Sequence, residues 1–300
     1  MSVKQLQSAM VAVLLALFTS SVLAAPPIDE KKAEREFLRL RRNDAKELVS
    51  LETAIASYQG KLQGKPVVVD LIGAVHVADK AYYDELNKTF ENYDVVLYEL
   101  VAPRDTTPTP GARSANPVSF MQLTMKNMLS LQFQLDCIDY EKKNFVHADM
   151  TPEEFTKSMT QRGESMMQMF LRMFGQSIAM QSRDPSRSGD AQLLSALFAK
   201  PEERSLRLKR VMAEQFEDME AATAVLDGPE GSTIVTERNK AALEVLTQQL
   251  EAGHARIAIF YGAAHLPDME ERLADDFQLK HHETKWLTAW NLAAGDAAKE

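Results

Sequence analysis

The chain has one cysteine, Cys137, among 300 residues. That excludes an intrachain disulfide and with it a small bridge-stapled scaffold. No basic cluster offsets the balance of 34 Lys and Arg against 43 Asp and Glu, which gives a formal net charge of −9. Neither nucleic acid nor an anionic membrane surface is therefore expected as the main partner. Beyond the amino-terminal segment no run reaches the ~18 apolar residues of a membrane-spanning helix. A His-Glu-x-x-His helix and a Gly-x-Ser-x-Gly nucleophile elbow are both missing, so neither of those hydrolytic machineries is available. What is present, 45% hydrophobic and 26% charged residues, belongs to an ordinary globular protein of one large or two smaller domains, with enough chain to bury a core.

The first residues read as a targeting segment. Lys4 precedes an apolar run from Met10 to Leu17, and Val22 and Ala24 place small residues at −3 and −1 of a cleavage site. This is the pattern of a secretory signal over residues 1–24, too short to cross a bilayer of ~30 Å with ease. An uncleaved anchor is the alternative. No cysteine lies at the cleavage site, so a lipoprotein is not expected. Residues 25–300 are then an exported protein, periplasmic in a Gram-negative cell and otherwise secreted, with no stable membrane span.

The pattern of residues 37–100 predicts an α/β fold. Val67–Ile72 and Asp94–Leu100 are β-branched, nearly continuous apolar runs of the kind buried strands show. Between them Tyr83, Leu86 and Phe90 have helical spacing over Lys80–Tyr93. Strand, helix, strand favours a right-handed parallel crossover. Residues 101–117 carry Pro103, Pro108, Pro110, Gly111 and Pro117 and form a loop, after which the chain reads as mainly helical to about residue 226. A helix over Ser232–Ala252, a strand over Arg256–Tyr261, a helix from Asp268 and a strand over Lys280–Leu292 complete a mixed sheet with flanking helices, interrupted by a helical insertion at about 118–226.

Internal repetition is the most informative feature. Gly73-Ala74-Val75-His76-Val77-Ala78-Asp79 returns as Gly262-Ala263-Ala264-His265-Leu266-Pro267-Asp268, with every identical position offset by 189. Each copy leaves an apolar strand and enters a helix, so the fold reads as two Gly-x-x-His half-repeats. Glycine allows a sharp turn at the strand end, and each aspartate stands where an N-cap belongs; Asp268 has Glu271 at capping-box spacing. Each histidine is then presented at the carboxyl end of a strand, where open α/β sheets place their ligands. Glu99 ends the neighbouring strand and should project from the same edge. Two neutral imidazoles and a carboxylate can hold a divalent metal with positions open for water and substrate; alternatively, Glu99 or a histidine acts as a general base without metal.

With these residues the chain resembles the TraB–PrgY–GumN–Tiki superfamily. The resemblance rests on Gly73-Ala74-Val75-His76, Tyr98-Glu99, Arg238-Asn239 at a helix start and Gly262-Ala263-Ala264-His265. Gln132-Phe133-Gln134-Leu135-Asp136 and Phe145-Val146-His147-Ala148-Asp149-Met150 are similar to its bacterial branch. Tiki proteins are metal-dependent peptidases, and related folds include erythromycin esterases and haem- or iron-binding lipoproteins. The resemblance implies that His76, His265 and Glu99 are metal ligands, with Mn²⁺, Co²⁺ or Zn²⁺ as the ion, and that Glu99 is ligand or base. It implies that Arg238 pairs with an active-site carboxylate or stabilises negative charge on a carbonyl oxygen and that Asn239 orients a peptide or small-molecule substrate. The leading expectation is an exported metal-dependent peptidase or amidase. Its rivals are a haem, iron or peptide-signal binding protein without turnover, and a metal-free histidine-based esterase.

Other features read as structural. His147-Ala148-Asp149 precedes the helix start Thr151-Pro152-Glu153-Glu154, and a turn or capping role is favoured for Asp149 over a supporting role in the site. His281 and His282 are strand neighbours and point to opposite faces, so they do not share one metal. Trp286 and Trp290 are expected to pack on the core. Ten of the 15 methionines fall between Met121 and Met180. Their helical spacing reads as core or lid packing, with a Cu(I) site or an adaptable peptide-binding surface as alternatives.

Overall fold

The computed structural model describes residues 36–104, 106–108, 129, 131–165, 195–196, 198–200, 203–214 and 231–293. Residues 1–24, read above as a targeting segment, and the methionines from Met166 to Met180 lie outside the described residues; Met159 is buried in a helix. No described helix is long and apolar enough to cross a membrane.

The described chain is α/β, with a mixed sheet and flanking helices. β1 (Leu38–Arg42), β2 (Leu48–Leu62) and β3 (Lys65–Ala74) open it, followed by the short β4 (Val77–Ala78), α1 (Lys80–Thr89) and β5 (Val95–Tyr98). Next come β6 (Gln132–Phe133), the single-turn α2 (Gln134–Cys137), β7 (Phe145–His147) and α3 (Pro152–Gln161). Residues 203–214 form α4. The last elements are α5 (Arg238–Glu251), β8 (Arg256–Gly262), α6 (Leu266–Asp275) and β9 (Lys280–Asn291).

The main sheet has seven strands in the order β1-β2-β3-β8-β5-β7, with β9 also paired to β2. β2 is long enough to take three partners: β1 along 48–53, β3 along 55–62 and β9 along 50–59, all antiparallel. β2 and β3 are joined by a two-residue turn in which Gln63 and Gly64 both have positive φ (48° and 81°), the conformation that matches the strands' own twist. β3, β8, β5 and β7 are mutually parallel, with Ala74 beside Gly262, Tyr98 beside Phe260 and Tyr98 beside His147. Their apolar runs are buried because helices cover the sheet: Val69, Leu71 and Ile72 of β3, Val96 and Leu97 of β5, and Ile257 to Tyr261 of β8 are all essentially inaccessible. Four consecutive parallel strands thus deliver the chain to one edge.

β7 corrects the sequence reading. The stretch 118–226 reads as a helical insertion, yet residues 145–147 extend the parallel sheet and residues 132–133 pair with β4. Both strands are too short for a two-residue period to register. Elsewhere the pattern is met closely. α3 opens on a reciprocal capping box between Thr151 and Glu154, and α1 buries Tyr82, Tyr83 and Leu86. Trp290 is fully buried, while the partly buried Trp286 lies under the Arg39 guanidinium.

Candidate functional site

The carboxyl edge of the parallel strands gathers four of the chain's polar groups. His76 follows β3, Glu99 follows β5, Asp149 follows β7 and His265 follows β8. Arg238 and Asn239 join them from the start of α5. That helix is entered through a wide turn over Thr233–Glu237, in which Glu237 N–H reaches back five residues to the Ser232 carbonyl (3.0 Å). The Ser232 side chain caps the Val235 N–H (3.1 Å). Such π-type turns re-aim the residues that follow them; here they are Arg238 and Asn239, both buried.

Arg238 is the hub. Its Nε donates to Asp149 Oδ1 (2.9 Å), and Nη2 donates to Asp149 Oδ2 (2.6 Å) and Glu99 Oε1 (2.6 Å). Nη1 touches no carboxylate and lies 3.5 Å from His265 Nε2. Burial disfavours the guanidinium charge, but Asp149 and Glu99 more than offset this and raise its pKa further. Asp149, 1% exposed, has one further donor, the Met150 N–H (2.7 Å). Its role is therefore to hold Arg238, and the turn or capping reading is replaced by a buried ion pair. It follows a third parallel strand, as Glu99 follows β5, but that strand is too short to be read from the sequence.

Glu99 accepts the Gly262 N–H at Oε2 (2.7 Å) and lies 3.7 Å from His265 Nε2. Burial pushes its carboxyl up, but His265, Arg238, His76 and the Gly262 N–H outweigh it and hold the pKa at about 2. A carboxylate held so low is a weak base at neutral pH; it acts here as a fixed negative charge. The Gly-x-x-His glycines serve close approach. A Cβ on Gly262 would sit 3.3 Å from Glu99 Oε2, and one on Gly73 would sit 3.3 Å from the Phe37 carbonyl. Neither glycine has positive φ, so the sharp-turn expectation does not apply.

His265 is oriented by Asn239. Asn239 Nδ2 donates to the His265 carbonyl (2.9 Å) and to Asp268 Oδ2 (2.8 Å), two groups that only accept. Its Oδ1 therefore faces His265 Nδ1 (2.7 Å), and that nitrogen carries the proton. Nε2 is left toward Glu99 and Arg238. Asn239 is fully buried, so it positions the imidazole rather than the substrate. The two aspartates do not cap. Asp268 is the third residue of α6 and accepts from Asn239 and Arg272. Asp79 stands at the N-cap of α1 without a capping bond and instead takes Lys209 Nζ and the Asn291 N–H.

His76 is the exposed member of the set. Its segment is tethered by Tyr82 and Tyr83 of α1, which donate to the Gly73 and Val75 carbonyls (2.8 and 3.0 Å). Trp290 Nε1 donates to the Val77 carbonyl (2.7 Å). Gln134 contacts the His76 ring (Oε1 to Nδ1, 3.2 Å) and donates to the Tyr140 hydroxyl (2.9 Å). Of the other histidines, His147 is engaged by the Leu100 carbonyl, and His281 pairs with Thr284 and packs edge-on against Tyr58.

The arrangement does not fit the expected divalent metal. No three His, Cys, Asp or Glu side chains among the described residues are grouped to hold one. The Arg238 guanidinium also contacts Glu99 and approaches His265 Nε2, placing a fixed positive charge against both intended ligands. A shallow cavity of about 530 Å³ lies elsewhere, between the β1–β2 turn and α4, and is remote from this chemistry. Compared with protein-family models, curated proteins and solved structures, the chain matches none.

Proposed function

We propose that the chain is a hydrolase of peptide, amide or ester bonds whose two Gly-x-x-His segments are half-repeats contributing to one site at the sheet edge, and that it works in the exported compartment. The observation that carries this reading is the Asn239-held His265, whose Nε2 faces a buried carboxylate and guanidinium. In this reading His265 Nε2 accepts a proton from the attacking water. Glu99 stabilises the resulting imidazolium by its fixed charge, as its low pKa requires. Arg238 Nη1, the guanidinium nitrogen without a carboxylate partner, faces the oxygen on which negative charge develops. His76, exposed at the mouth, meets the substrate first.

The metal-free form of this chemistry is favoured over the metal-assisted form because the Arg238 guanidinium already pairs with Glu99 and approaches His265 Nε2. The test is hydrolysis of ester and amide probes by the mature protein, with and without chelator, beside His265→Gln. Hydrolysis that survives chelation and is lost in the variant is expected. Activity abolished by chelator and restored by Mn²⁺, Co²⁺ or Zn²⁺ would replace this reading with the metal-assisted one. Haem or peptide binding with no turnover of any probe would replace it with a binding function.

A further inference from the structure

The two site histidines are held by different elements in the same way. At His265, Asn239 clamps the residue twice, through the main-chain carbonyl and through the ring Nδ1. At His76 the clamp is Gln134. Its backbone N–H donates to the His76 carbonyl (3.0 Å) and its side-chain Oε1 lies 3.2 Å from Nδ1. Gln134 is 5% exposed and is fixed from both sides. The preceding residues pair with the His76 loop, Phe133 with Val77 and Gln132 with Ala78. Its amide nitrogen donates to Tyr140, which is itself buried.

We propose that Gln134 is the positioning residue of His76, the counterpart of Asn239 at His265: its carboxamide oxygen accepts the Nδ1 proton and leaves Nε2 as the ring's lone-pair nitrogen. The orientation of the amide follows from Tyr140. Nε2 of Gln134 donates to its hydroxyl (2.9 Å), which leaves Oε1 for the imidazole. Both imidazoles at the sheet edge are then fixed in the less common neutral tautomer, and neither can present Nε2–H to a substrate without first taking up a proton. The tautomer stands independently of the hydrolase reading; its catalytic consequence rests on that reading.

The experiment is long-range ¹⁵N–¹H correlation spectroscopy of the histidine-labelled full chain at about pH 8.5, two units above the ordinary imidazole value. The His76 signals are assigned by their loss in His76→Gln. A protonated Nδ1 with a bare Nε2 is expected, retained in Gln134→Glu and shifted toward the Nε2–H form in Gln134→Met. Under the hydrolase reading, Gln134→Met also lowers kcat about tenfold while melting within a few degrees of the parent. An Nε2–H tautomer in the parent, or an unchanged signature in Gln134→Met, overturns the inference. Should Gln134→Met not fold, the parent spectrum decides alone. A bare Nε2 in a protein that hydrolyses no probe would retain the positioning role and reject the hydrolase.

Discussion

Replacing Arg238 with methionine preserves most of the buried stem and removes only the charge. Three charge-assisted hydrogen bonds disappear, two to Asp149 and one to Glu99. Asp149, almost inaccessible, is left with a single backbone donor, and Glu99 keeps only the Gly262 N–H and the neighbouring imidazoles. Removing one partner of a buried ion pair typically costs 3–5 kcal/mol, because the other charge stays buried without compensation. In a chain of this size each kcal/mol lowers Tm by roughly 2–4 °C, so a drop on the order of 10 °C is expected. Arg238→Lys should lose about half as much, since a point charge cannot span two carboxylates as the planar fork does. The decisive comparison is Arg238→Met with Asp149→Leu. Removing Asp149 as well should restore part of the loss, because only Glu99 is then left without its guanidinium. Thermal and urea melts at pH 7, followed in parallel by circular dichroism and tryptophan fluorescence, measure all of these. A single variant within about 2 °C of the parent, or a double variant no more stable than the single, would refute the hub assignment.

The pH dependence of Glu99 has a definite sign. Its folded pKa is depressed from 4.5 to about 2, so the associated stability, about 3 kcal/mol, is fully present above about 4.5 and lost as pH falls toward 2. The stability gap between the parent and Glu99→Gln should therefore close across that window in urea melts, and a constant gap contradicts the assignment. Asn239→Leu removes one donor from Asp268, which keeps Arg272, and frees the His265 ring; under the hydrolase reading kcat should fall at least about tenfold with KM little changed, a loss of one hydrogen bond's worth of alignment. Gly231 has φ of 69°, and a Cβ there would meet Thr236 Oγ1 at 2.4 Å. Gly231→Ala should cost about 1–3 kcal/mol in chemical denaturation by distorting the turn that aims Arg238.

The elements best legible in the sequence were those whose burial imposes a period. The runs 67–72, 95–98 and 257–261 are β3, β5 and β8, and the spacing of Tyr83, Leu86 and Phe90 is the buried face of α1 and the turn after it. The repeated Gly-x-x-His put His76 and His265 each at a strand end, which is a property of the local sequence; the pairing of β3 with β8 that makes those strands neighbours was not legible. β7 was not legible, since three residues carry no period and its pairing partner lies 49 residues away at Val96–Tyr98. The clamping roles of Gln134 and Asn239, both within motifs that the resemblance quotes, were hidden for a related reason. Gln134 and Asn239 act through hydrogen bonds to residues 58 and 26 positions away, and nothing in their immediate neighbours records that distance.

The shift from a metal cage to an ion-paired site turns on Asp149. With the set His76, Glu99 and His265 alone, the negative carboxylate calls for a cation, and a divalent ion is a natural one. Asp149 changes the charge count: it binds the guanidinium in a bidentate pair and fixes its plane, so that the remaining Nη2 proton falls on Glu99. The carboxylate thus already has its cation, supplied by the chain. A divalent ion would have to displace a guanidinium anchored to a carboxylate 1% exposed, and the displaced arginine would leave Asp149 buried and unpaired. That penalty belongs to the same interaction that Arg238→Met measures. A large destabilisation in that variant, partly recovered in the double substitution, would therefore also set how strongly this fold opposes a metal between Glu99 and His265.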